Sequence, residues 1–250
     1  AWSLISSRDA GIKEYQSAFE QINGPGHSVT FTDISDVIAE FIAFEWRADD
    51  SPFDQYLRTG EPLPKAANLG MSLFYGKAQC STCHAGQFQT DHDFHAIALP
   101  QVGPGKSARF ETHARDEGRL RVTGNPADAY KFRTPSLRNI AQTAPYGHNG
   151  AYATLEAMIR HHLDPVASLK AYNVAQLVLP DLPNSQDFRA THDPDEQAAI
   201  AAANELSPSN LSETEIIQIV AFLNALSDTA SLAGKLGVPQ TVPSGLSVDQ

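Results

Sequence analysis

The sequence predicts a mainly α fold with long ordered loops. Three observations predict it. Apolar residues recur at three- and four-residue spacing in separate segments, several segments open on a capping residue, and residues 85–153 sustain no strand-like alternation. Residues 1–22 read as amphipathic and helical, ended by the turn cluster Asn23-Gly24-Pro25-Gly26. Ile34, Val37, Ile38, Phe41 and Ile42 mark the next helix, with Thr32 or Asp33 as N-cap, fading near Asp49-Asp50-Ser51-Pro52. Gly60, Pro62 and Pro64 then form a loop that is the expected domain boundary, giving residues 1–60 and 61–250. A short helix over 65–75 runs into Gly76, and residues 85–153 are turn-rich. Thr154 caps a helix to about 163, and residues 164–210 read as loop because of their five prolines. Ser212-Glu213-Thr214-Glu215 is a capping box opening a helix with Ile216, Ile219, Val220, Leu223 and Leu226 on one stripe. The tail from Leu236 is extended, and no internal repeat stands out.

Composition excludes several function classes. With 250 residues, 42% of them hydrophobic, the chain can build a real core. No apolar run approaches the ~18 residues of a membrane span. A net charge of −11 argues against binding nucleic acid through its phosphates. The chain opens at Ala1 with neither Met nor a signal-like stretch, which reads as a mature or trimmed product.

Only two cysteines are present, in Cys80-Ser81-Thr82-Cys83-His84. C-x-x-C-H is the signature of covalent haem c attachment: two thiols bond the two vinyl groups on one porphyrin edge, and the following imidazole becomes the proximal iron ligand. A disulfide or redox dithiol does not require His84, and a zinc site would need two more ligands at matching spacing. A buried porphyrin also gives the long loops a surface to order on. Arg109, Arg119, Arg121, Lys131, Arg133 and Arg138 lie there as solvated residues or propionate partners.

A low-spin haem needs a sixth ligand. Leu155, Met158, Ile159 and His162 share one face of the 154–163 helix, so His162 is the expected distal ligand, with Met158 the alternative and an open site the remainder. His161, turned by roughly 100°, is expected to face outward. His148 and His95 are expected either at the haem edge or in turn-stabilising hydrogen bonds. Trp46, near the polar end of its helix, is expected in the core, with an electron-hole relay as the alternative.

Further segments carry a resemblance: Asp50-Ser51-Pro52-Phe53-Asp54, Cys80 to Gly86, Phe94-His95, Asp116-Glu117-Gly118-Arg119, Lys131 to Asn139, Thr143 to Gly150, Thr154-Leu155-Glu156 and Val242 to Leu246. In this order they resemble the C-terminal half of the bacterial di-haem cytochrome c peroxidases and the related MauG-type enzymes. The resemblance implies two cytochrome-c-like domains. Residues 61–250 would be the C-terminal, electron-transfer one, and residues 1–60 the later part of the N-terminal, peroxidatic one. It implies haem c on Cys80 and Cys83 with His84 proximal, a distal position falling on His162, and calcium held by main-chain oxygens of Thr143 and Pro145. His162 departs from the Met of the peroxidases and the Tyr of MauG itself.

The resemblance implies an oxidoreductase in which electrons pass through the Cys80/Cys83 haem to a second haem that reacts with hydrogen peroxide. The second haem would lie on a missing region or on a partner chain, making this sequence a fragment or half of a split enzyme. The expected donor is a small cytochrome c or cupredoxin, and the expected location is periplasmic. One alternative is MauG-like oxidation of side chains on a partner protein. Another is a non-enzymatic single-haem electron carrier, which would leave residues 1–60 without a role.

Overall fold

The structure, a computed structural model, describes residues 2–103, 113, 115–177 and 187–248. Its helices are α1 (Trp2–Ala10), α2 (Lys13–Asn23), α3 (Phe31–Glu45), α4 (Pro52–Thr59), α5 (Lys65–Tyr75), α6 (Leu120–Thr123), α7 (Leu155–Leu163), α8 (Pro165–Lys170), α9 (Pro194–Ala202), α10 (Glu213–Asn224) and α11 (Thr229–Ala233). The only sheet among the described residues pairs β1 (Phe94–His95) antiparallel with β2 (Phe132–Arg133), in the register Phe94↔Arg133. The expected mainly α class with long loops is what forms.

Three of the helices that sequence reading passed over share a signature. Ser51-Pro52, Asp164-Pro165 and Asp193-Pro194 each place a capping side chain before proline at the first helical position, opening α4, α8 and α9. Proline lacks only an N–H that has no helical partner there, so these prolines start helices rather than mark loops.

The chain divides into two compact units, residues 1–49 with 228–250, and residues 50–227. The boundary expected in the 60–64 loop falls at 49/50 instead, because α4 belongs to the larger unit: Phe53 stacks edge-on against Phe222, and its N–H donates to the Ala225 carbonyl.

In the smaller unit, Thr30 caps α3 and Asp33 closes the capping box, so Asp33 is the box's third helical residue rather than the N-cap. Glu45 is buried; its two carboxylate oxygens accept the N–H groups of Lys235 and Leu236. Helices α1 and α2 bury nothing. Trp46 is 54% exposed, its ring edge-on to Phe41, so it is not the core residue expected.

The larger unit is organised on α5 against α10. Ala67 and Phe74 of α5 and Ile216, Ile219, Phe222 and Leu223 of α10 form its main cluster with Phe53, Leu63 and Leu226. Gly70 lets the two backbones touch: a Cβ there would overlap the Gln218 carbonyl.

Arg138 ties this core to the loop after the cysteines. Its guanidinium grips Asp54 in a fork at 2.8 and 2.9 Å, and its Nε donates to the Gln87 carbonyl. Burial pushes the Asp54 carboxyl up, but Arg138 and the Ser51 hydroxyl and N–H outweigh it and hold its pKa below the usual value. Removing one member of a buried pair strands the other, so Arg138→Ala is expected to cost about 3 kcal/mol in urea unfolding. A carboxyl held low stabilises the fold above its unfolded pKa of about 3.9 and stops doing so as pH falls through the folded value. Arg138→Ala should therefore begin acid unfolding at higher pH than wild type.

Candidate functional site

The cysteine motif follows α5 directly. Cys80–Thr82 form one turn of 3-10 helix, and the His84 N–H donates to the Cys80 carbonyl at 2.9 Å, folding the motif back on itself. Cys80 is half-buried against the main cluster and Cys83 is partly exposed. Burial pushes the Cys80 thiol up to about 11 and also raises Cys83, which faces the charges of Asp91 and Glu205 as well. A redox dithiol needs a lowered thiol pKa; these are held protonated.

His84 Nδ1 lies 3.3 Å from the Gln89 carbonyl. Burial, and next the neighbouring His162, push the imidazole down to about 4; hydrogen bonds to the Gln89 and Pro135 carbonyls only partly oppose this. His84 is thus a neutral imidazole at neutral pH.

Helix α7 carries two adjacent histidines with opposite fates. His161 is fully buried, which corrects the outward orientation expected of it. Its Nε2 donates to the Ile97 carbonyl at 2.7 Å, which leaves Nδ1 to accept from the Tyr152 hydroxyl at 2.9 Å. Both nitrogens are used. Helix α7 is apolar on two sides: Leu155, Ile159 and Leu163 pack on the main cluster, whereas Ala157 and Met158 pack on a second one built from Leu99, Val102, Tyr146, Ala151 and Tyr152. His161 follows Ala157 by one turn and shares that second side.

His162 Nδ1 donates to the Met158 carbonyl at 2.8 Å, and Nε2 makes no hydrogen bond among the described residues. His162 is partly buried, and burial lowers its pKa. Cys80, Ile140, Leu155 and Ile159, also partly buried, pack on the main cluster. Met158, the alternative ligand, packs its side chain on the second cluster.

This arrangement fits a haem. His84 and His162 are both imidazoles whose pKa burial lowers, His162 adding to the effect on His84, and each sets Nδ1 against a backbone carbonyl, as metal-ligating imidazoles commonly do.

The other residues singled out in the sequence have protein partners. His148 stacks flat on Phe132, ring centroids 3.5 Å apart. His95 lies between Asp91 (2.9 Å) and Glu205 (3.4 Å), with Cys83 Sγ beside them, and Glu205 also pairs with Lys131. Arg119 covers the Phe94 ring and pairs with Asp128, Arg133 bonds His92, and Arg138 holds Asp54. Arg109 lies outside the described residues. Tyr152 and Arg138 were missed as organising residues; Tyr152 lies nine residues before His161, a spacing that no single-helix pattern reads.

No protein-family model matches the chain. It is 30% identical over 253 residues to the cytochrome-c peroxidase IdrP1 of Denitromonas iodatirespirans, covering 92% of this chain and 58% of that one. It is 37% identical over 162 residues to the cytochrome c peroxidase Ccp of Escherichia coli (strain K12), covering 64% of this chain and 33% of that one. The chain thus spans about half the length of the curated relatives it matches. Among solved structures, a MauG-like protein associated with microbial copper homeostasis superposes at TM-score 0.51 and 30% identity, over 72% of this chain and 52% of that one. The diheme peroxidase BthA of Burkholderia thailandensis E264 superposes at TM-score 0.58 over 96% of this chain and 61% of that one; its 20% identity speaks to fold alone.

Proposed function

We propose, on the premise that this chain belongs to the family of di-haem cytochrome c peroxidases and MauG-type proteins, that it is the electron-transfer half of such an oxidoreductase. Cys80 and Cys83 would attach a haem c, and His84 and His162 would be its axial ligands. When bound, that group supplies one-electron transfer to a second haem, where hydrogen peroxide is reduced. The two cysteines of this chain are used by the first haem, so the second is carried by other residues.

The observation that carries this reading is His162: its Nδ1 is spent on the Met158 carbonyl, and its Nε2 has no protein partner among the described residues. The Nδ1 hydrogen bond fixes the tautomer and raises the basicity of Nε2. His161, tied at both nitrogens, anchors α7 and cannot serve. Gln89 and Pro135 orient His84 in the same way. We assign the electron donor to a small cytochrome c or cupredoxin, the location to the periplasm, and calcium to the main-chain oxygens of Thr143 and Pro145. Residues 1–49 with 228–250 would be the remainder of a second cytochrome-like domain.

The test is spectroscopic. Pyridine haemochrome assay should count one haem per chain, and the ferric spectrum should be low-spin and bis-imidazole. His162→Met should introduce the charge-transfer band of His/Met ligation and raise the midpoint potential, because thioether favours ferrous iron. A His/Met signature in the wild type, or a high-spin wild type, would refute the assignment.

A further inference from the structure

Gln89 is buried in a backbone conformation that residues with side chains seldom adopt. It is 3% exposed, and its φ of 52° lies in the left-handed region. Such strain persists only where the surroundings fix it, and it concentrates at functional sites. Four hydrogen bonds fix it here, one on each polar group of the residue. Its N–H and its Nε2 both donate to the Gly86 carbonyl, at 3.1 and 2.8 Å. Its Oε1 accepts from the Tyr75 hydroxyl at 2.8 Å, and its main-chain carbonyl accepts from His84 Nδ1 at 3.3 Å.

The turn by itself does not call for glutamine. Glycine would take this φ without strain, but it would bring no side chain to hold the carbonyl in one direction. The side chain is held in turn by the core. Tyr75 ends α5, and its ring lies edge-on to Phe74 and Phe222, the rings that meet between α5 and α10. On the far side of Gln89, the Thr90 hydroxyl donates to the Thr134 carbonyl at 2.7 Å. A continuous path of contacts therefore runs from the α5–α10 core through Tyr75 and Gln89 to His84.

We propose that Tyr75 and Gln89 are positioning residues for the proximal histidine. The Tyr75 hydroxyl locks the Gln89 side chain, the side chain aims the Gln89 carbonyl at His84 Nδ1, and that bond sets the potential of the iron His84 binds. This rests on His84 as the proximal ligand, and adds what tunes it. A carbonyl at Nδ1 makes an imidazole a stronger donor, and a stronger donor favours ferric iron. Loosening the carbonyl therefore raises the midpoint potential. The Pro135 carbonyl, which also bonds His84, is untouched by the substitutions below, so any shift reports the share of Gln89.

A redox titration of the haem-loaded full chain tests this. Tyr75→Phe removes one oxygen and keeps the ring. It should raise the ferrous-to-ferric ratio at a given potential about threefold, or ~28 mV, within what one neutral hydrogen bond supplies. Gln89→Asn keeps a residue type that tolerates positive φ but is one methylene too short to reach Tyr75. It should raise the potential at least as much. In both variants, exchange of the His84 Nδ1 proton in the ferrous chain, followed by NMR, should quicken about threefold or more. Ser72→Ala, on the exposed side of α5, should leave potential and exchange at their wild-type values. An unchanged potential in Tyr75→Phe, with the bis-imidazole spectrum intact, overturns the proposal. So does a shift in Tyr75→Phe that Gln89→Asn does not share, because the hydroxyl would then act by another route. Failure of the ligand assignment itself shows in the wild-type spectrum, so either idea can fail alone.

Discussion

Gly70→Ala is expected to destabilise the larger unit by about 3 kcal/mol, the upper part of the range for overpacking a closed interface. Helix propensity works the other way, since alanine is favoured over glycine in a helix interior by about 1 kcal/mol. Sterics win because the new methyl would overlap the Gln218 carbonyl, which is backbone and held in α10. A side-chain neighbour would rotate away; a helical carbonyl moves only with its helix. Equilibrium urea unfolding followed by circular dichroism measures the loss. Ser72→Ala, on the exposed side of the same helix, should stay within about 0.5 kcal/mol of wild type. A Gly70→Ala chain as stable as wild type would mean that α5 and α10 do not cross this closely.

Replacing both thiols, Cys80→Ala with Cys83→Ala, is expected to abolish covalent haem altogether. After denaturing electrophoresis the wild-type band should stain for haem and the double variant should be colourless. Either single variant should retain a weaker signal through its one remaining thioether. The double variant should also melt at lower temperature, because the apolar surface that Ile140, Leu155 and Ile159 leave accessible would lose a bound porphyrin as cover. A haem-positive double variant would exclude attachment at these cysteines.

How much of this was readable in the residues follows from the range of the signals. Helices α5, α7 and α10 were legible because local periodicity and capping act within a few residues; α10 buries Ile216, Ile219 and Leu223 of the stripe the pattern marks, whereas α7 buries only His161. The cysteine motif was legible for the same reason. The orientation of His161 was not. A helical wheel assumes one apolar side, whereas α7 lies between two clusters, and the second cluster is assembled from Leu99, Val102, Tyr146 and Tyr152, which local patterns cannot gather. Trp46 failed in the opposite sense: it has a core residue's chemistry but caps a helix whose Val37, Phe41 and Phe44 are exposed as well. The short helices α4, α8 and α9 were hidden by their own starting prolines.

The α5–α10 pair also orders events in time. Its two halves lie on either side of the cysteine motif, and α10 is the last helix of its unit to be synthesised. Long-range pairing of this kind delays core closure until the distal partner exists. The cysteines therefore emerge, and remain accessible, while most of the unit is still being made. Arrival of α10 buries Phe74 and Phe222 against each other and ends that interval. A reagent for the two thiols should therefore react faster with a chain cut short before α10 than with the folded chain, most of all at the half-buried Cys80.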